Sequence, residues 1–205
     1  MCGKCYGVWE TRCSFLISGG WLLVSRLNIT QNIIPQSPLP WVTSYRGIEN
    51  QTLLTQTAMK ELRRLINFTQ LRFHCKKQKP GRTIHIATVK NSSGEAVVQY
   101  FSGQTNALPI ACGSFYKIKD DNSTLANKCQ LWGKHTKYEV NKWGHEKDDS
   151  LGSDQNETRL FNHAMFVYHD VHWVVGHNER FECDDYNEHG TTADFSGGLW
   201  EIFVR

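Results

Sequence analysis

Four cysteines sit among the patterned segments of this chain, Cys75, Cys112, Cys129 and Cys183. Their pairing constrains the fold more than any other feature. Four cysteines allow three connectivities, and spacing alone does not choose among them. Cys112–Cys129 is the shortest link and the one expected here. Closing a loop of that size restricts the unfolded chain and stabilises the fold by about 3 kcal/mol. Three more cysteines, Cys2, Cys5 and Cys13, crowd residues 1–13. No second Cys-x-x-Cys exists to complete a zinc site with Cys2 and Cys5. The segment therefore reads as a partial end of a disulfide framework, with an odd cysteine over.

Cystines imply an oxidising compartment, and a second feature agrees. Asn-x-Ser/Thr triplets begin at Asn28, Asn50, Asn67, Asn91, Asn122 and Asn156. Six exceeds the roughly two that chance would give and points to the secretory pathway, where such sites carry glycans. A secreted chain needs a leader. The apolar stretch 15–24, FLISGGWLLV, contains a Gly-Gly pair and is followed by no small-x-small cleavage site. It reads as a buried strand, so the expectation is an extracellular protein whose signal peptide is missing from this chain.

Composition excludes several classes. With 205 residues, 40% apolar, and a net charge of only +3, the chain can bury a real core and offers no basic stripe for nucleic acid. No window is long enough for a membrane-spanning helix.

Periodicity supplies the elements. Residues 21–28 alternate as a strand; residues 32–48 carry three prolines and read as loop. Residues 53–68 predict the one strong amphipathic helix, with Leu54, Ala58, Leu62 and Leu65 on a single stripe and Asn50 or Thr52 as its cap. Strand patterns follow at 70–75, 82–89 and 95–101, the last two joined into a hairpin by the turn-like KNSSGE. Further strands are expected at 114–118, 165–168, 172–175 and 200–204, with a polar surface excursion over 133–158. Most of the seven tryptophans belong to a small β-rich core. The sum is an α+β domain over 14–205, mostly antiparallel β, held by disulfides.

Candidate sites are few. Asp120 and Asp121, beside Asn122 inside the Cys112–Cys129 loop, are candidate calcium ligands, although adjacent side chains diverge and calcium prefers alternating positions. The stretch NERFECDDYNEHG clusters Glu179, Glu182, Asp184, Asp185 and Glu188 and reads as an acidic loop around Cys183, with calcium as its sharper reading. His163, His169, His172 and His177 lie close in sequence, yet no HExxH or HxH motif anchors a metal. His74 and Cys75 are neighbours in a strand, so they point apart and cannot act as base and nucleophile. No Gly-x-Ser-x-Gly, phosphate-cradling glycine loop or dinucleotide fingerprint occurs. Nothing here requires an enzyme.

The runs ISGGWLLVSRLNIT, LRFHCKKQKPGRTIHIATVKNSSGEAVVQYFSG, ACGSFYKIKDDNSTLANKCQLWG, HWVVGHNERFECDD and GGLWEIFVR resemble a cnidarian extracellular family that includes the skeletal organic matrix proteins of stony corals. A more distant resemblance is to the fibrinogen C-terminal domain, with its GGW strand, a helix, an LR strand and an acidic stretch before a cysteine. The first resemblance implies a secreted matrix or adhesion protein, non-enzymatic, with matrix proteins or glycans as partners and mineral nearby. The second implies a fibrinogen-like architecture, calcium near Asp120 and Asp121, and a calcium-dependent lectin as the rival function. The chain lacks that domain's spaced Asp-x-Asp and its paired tryptophans, having only Trp132. A histidine-cluster metal hydrolase is the second rival.

Overall fold

The computed structural model describes residues 20–29, 52–79, 81–133, 140–144, 159–160, 163–175, 180–186 and 197–205. Its strands are β1 (Leu22–Ile29), β2 (Thr52–Leu53), β3 (Leu71–Lys77), β4 (Thr83–Thr88), β5 (Phe115–Lys117), β6 (His163–Tyr168), β7 (Val171–Val175), β8 (Phe181–Asp185) and β9 (Gly198–Val204). Two α-helices, α1 (Gln56–Ile66) and α2 (Ser92–Phe101), and a 3-10 turn, Ala126–Leu131, complete the described elements. Every strand pair is antiparallel. Six strands form one sheet in the order β2-β1-β9-β3-β4-β5, and β6-β7-β8 form a second. The chain is thus α+β and mostly antiparallel β, as expected.

The end of the chain lies in the middle of the large sheet. Strand β9 inserts between β1 and β3, pairing Leu27 with Trp200 on one side and Cys75 with Trp200 on the other. Its side chains are buried at Trp200, Ile202, Phe203 and Val204, so its backbone N–H and C=O groups are out of water and need hydrogen-bonding partners on both edges. Across β9, β3 and β4 the inward rows are Ile202–Phe73–Ile86 and Trp200–Cys75–Ile84. All six side chains are at most 3% exposed.

The core that this face covers is aromatic. Phe73 lies with ring centroids 5.3 Å from Phe101, 5.2 Å from Trp143, 6.0 Å from Phe166 and 5.9 Å from Trp173. Trp132 stacks on Phe115 and Phe166. Edge-to-face pairs of this kind add about 0.5–1.5 kcal/mol each beyond the area they bury. The expected tryptophan core is therefore present, and Trp143, placed by sequence in a surface excursion, is fully buried. Among the described tryptophans Trp21 is the exception, half-buried under the guanidinium of Arg205 at 4.5 Å.

Two cystines fix the layers. Cys112–Cys129 closes the short loop, as expected, and Cys75–Cys183 joins β3 of the large sheet to β8 of the small one across 108 positions. A link of that span is worth about 4.7 kcal/mol on the chain-entropy account. Cys2, Cys5 and Cys13 lie outside the described residues.

Three expectations are corrected. Residues 95–101 are helix, not strand, so the described residues hold two α-helices where the sequence predicts one. The Asn91 side chain accepts hydrogen bonds from the Ser93 and Gly94 amides, which makes the supposed hairpin turn a helix N-cap. Helix α1 starts at Gln56, capped by Thr55. Thr52 belongs instead to β2, and Leu65 is 70% exposed while Ala58, Met59 and Arg63 face inward. Residues 181–185 of the supposed acidic loop are strand β8. Its Glu182 and Asp184 are fully buried because each is paired, Glu182 with Arg180 and Asp184 with Arg82.

Candidate functional site

Period-two alternation that sends Phe73 and Cys75 inward sends Arg72 and His74 to the opposite face. The register then lines up a polar row across four elements. Arg26 of β1 faces Glu201 of β9, Glu201 faces His74 of β3, and His74 faces His85 of β4. Arg26 Nε lies 3.7 Å and His74 Nδ1 3.0 Å from the Glu201 carboxylate. The two imidazoles sit 4.6 Å apart, tilted by 49°. Asp120 ends the row, its Oδ1 2.5 Å from His85 Nδ1. The neighbouring row is Phe203–Arg72–Ala87–Tyr116, with the Arg72 guanidinium 3.8 Å above the Phe203 ring.

The loop that delivers Asp120 is locked from below. Buried Asp184, at a backbone φ of 56°, accepts hydrogen bonds from the Thr124 amide at 2.9 Å, the Leu125 amide at 2.7 Å and Arg82. Asp121 accepts from the His85 amide at 2.7 Å and from the Ser123 hydroxyl, and Lys117 lies 3.3 Å away. Asn122 accepts from the Thr83 amide at 2.7 Å. These bonds extend the edge of β4 and leave Asp120, 57% exposed, beside the histidines.

That geometry tests the calcium expectation. Asp120 turns outward to His85, while the Asp121 side chain is fully buried and bonded to main-chain amides and Lys117. The Asn122 carbonyl oxygen is also committed. The residues present do not offer the converging, uncommitted oxygens that calcium needs. The charges of Asp184 and Asp185 are likewise spoken for, by Arg82 and Lys77. Glu179 and Glu188 lie outside the described residues.

Two of the histidines close in sequence, His169 and His172, are described, and each is engaged by its own neighbours. His169 is exposed at a turn and pairs with Asp170. His172 uses both ring nitrogens, one on the Glu182 carboxylate at 2.8 Å and one on the His169 carbonyl at 2.8 Å. His177 and the side chain of His163 lie outside the described residues. Among the described residues, His74, His85 and Asp120 form the group whose ligand atoms come within 4.8 Å of one another. In the sequence His74 stands beside Cys75 and is separated from both His85 and Asp120. The signal that could have found the pair was the β3–β4 register, which needs both strand boundaries to within a residue.

The electrostatics of the row follow from its burial. Burial pushes the His85 imidazole below its ordinary pKa, more strongly than the Asp120 hydrogen bond raises it. Asp120 and Glu201 go the other way from what burial asks. The hydrogen bond and charge of His85 hold Asp120 below the usual carboxylate range, and those of His74, helped by Arg26 and Arg72, do the same for Glu201. At neutral pH the row therefore presents two ionised carboxylates and a neutral His85 ring. The Nε2 of His85 is buried and finds no hydrogen-bond partner among the described residues.

The described acceptor asparagines, Asn28, Asn67, Asn91 and Asn122, are all exposed; Asn50 and Asn156 lie outside the described residues. Fold and surface together define a cystine-bonded α+β domain with a polar sheet face. No protein-family profile, no curated protein and no solved structure matches the chain. Among the described residues no helix is long and apolar enough to cross a membrane.

Proposed function

We propose that this chain is a secreted, N-glycosylated domain of the extracellular matrix or of adhesion, which works by being held in place and binding rather than by turning over a substrate. Its partners are matrix proteins or glycans. The observation that carries this reading is the joint disposition of sulfur and asparagine. One cystine, with both cysteines in the core, ties the two sheets and a second closes a local loop, while all four described acceptor asparagines are exposed. Cystines of this kind persist in oxidising compartments, and a glycan needs an accessible amide. Kinship to skeletal organic matrix proteins and a fibrinogen-like arrangement belong to the same proposal. They are supported by the succession of the Trp21–Leu22 strand entry, helix α1 and the Leu71–Arg72 strand. The calcium-dependent lectin is less well supported, because the Asp121 and Asn122 oxygens are engaged by the chain itself.

Non-reducing peptide mapping of material secreted from a eukaryotic host, with and without glycosidase, tests the reading. It predicts both cystines intact and glycan on at least one of Asn28, Asn67, Asn91 and Asn122. Free thiols at Cys75 and Cys183, with every acceptor asparagine bare, would overturn it.

A further inference from the structure

We propose that His74, His85 and Asp120 bind a divalent transition-metal ion, zinc(II) in the first instance, with Glu201 holding His74 in place. The proposal stands apart from the matrix reading and from the sequence-adjacent histidines. It rests on position. Both rings come from paired residues of adjacent strands in the middle of a sheet, where the backbone has little freedom to let them drift. Their ligand atoms and that of Asp120 already lie within 4.8 Å of one another, a span that small side-chain rotations can close to a shared ion. Zinc is bound at about 2.0–2.2 Å by imidazole nitrogen and carboxylate oxygen.

The second support is orientation. A metal-bound histidine commonly gives its other ring nitrogen to a carboxylate, which fixes the tautomer and strengthens the ligand. Here Glu201 stands 3.0 Å from His74 Nδ1. Asp120 stands 2.5 Å from His85 Nδ1, near enough to serve either as orienter or, after a short shift, as ligand. A third support is the buried Nε2 of His85, which finds no hydrogen-bond partner among the described residues; a buried polar atom left so is costly unless something else satisfies it.

Charge selects the ion. Arg26 and Arg72 flank the row and offset the two carboxylates, so the site has little net field with which to attract a cation. Binding must come from coordination to imidazole, which suits zinc, copper and nickel and not calcium or magnesium. Two nitrogens and one carboxylate leave at least one coordination position for water or for a side chain of a bound partner.

The test is equilibrium dialysis of the whole, oxidised chain against zinc chloride, with metal counted per chain, beside a His74→Gln/His85→Gln variant. The proposal predicts that the variant takes up one zinc fewer per chain than the wild type and that Glu201→Gln weakens uptake about 10–100-fold. The same zinc content in wild type and double variant would overturn it, as would no zinc bound by the wild type. Should the variant not fold, imidazole resonances of the wild type during a zinc titration decide. Shifts at His74 and His85 with one equivalent support the site; their silence while other histidines respond refutes it.

Discussion

The two faces of the large sheet are built from the same strands, one residue out of step, and they have opposite chemistry. Inward, β3 and β9 bury Phe73, Cys75, Trp200 and Ile202 against aromatic rings and a cystine. Outward, the same strands carry Arg72, His74 and Glu201, all part-buried, with His74 paired to Glu201 and Arg72 lying over the Phe203 ring. The inner face is explained by stability alone, since burying a large apolar side chain is worth about 1.5–3 kcal/mol. The outer row is not. Part-buried ion pairs of this exposure return on the order of 1 kcal/mol or less, so two histidines and two carboxylates in one row add little that a row of threonines would not. That difference marks the outer face as the place to look for function.

The comparison can be broken from the inner side first. Replacing Cys75 and Cys183 together by alanine removes the cystine between the sheets and should cost about 4–5 kcal/mol in chemical denaturation, against about 3 kcal/mol for Cys112 and Cys129. Asp184→Ala comes next. It strands the Thr124 and Leu125 amides and the Arg82 guanidinium, and its left-handed backbone suits asparagine better than alanine. We expect a loss of about 3 kcal/mol by urea unfolding, with Asp184→Asn milder. Gly94→Ala is smaller. A Cβ there would run into the Val89 carbonyl oxygen, and the overpacking should cost about 1–3 kcal/mol, seen as a lower Tm with an unchanged far-ultraviolet spectrum.

What the sequence made legible depended on which residues carried the pattern. Strands β1, β3 and β4 alternate in apolar side chains, β6, β7 and β9 are short apolar runs, and the helix stripe through Ala58 and Leu62 has the right period, so both kinds of element could be read. Helix α2 was hidden because Glu95–Phe101 is rich in valine and aromatics, which also suit a strand. Its cap, Asn91 followed by Ser-Ser-Gly, uses the residues of a turn. Strand β8 was hidden because charged residues alternate with its core residues Phe181 and Cys183 and are buried as well. Glu182 and Asp184 are buried only by virtue of Arg180 and Arg82, partners that no periodicity reveals. The cystine Cys112–Cys129 could be ranked from its span. The site was half visible. Asp120 was a candidate, but its partner His85 lies on another strand, and His74 and His85 meet only through a hairpin register that the sequence leaves loose by a residue or two.

The division of labour between the faces is tested most directly by denaturant unfolding of two variants beside the wild type without added metal, Phe73→Ala from the inner face and His74→Gln/His85→Gln from the outer. The account predicts a loss of about 3–5 kcal/mol for the first and within about 1 kcal/mol of wild type for the second. Equal losses from both would contradict it, since the outer histidines would then be structural residues like any in the core.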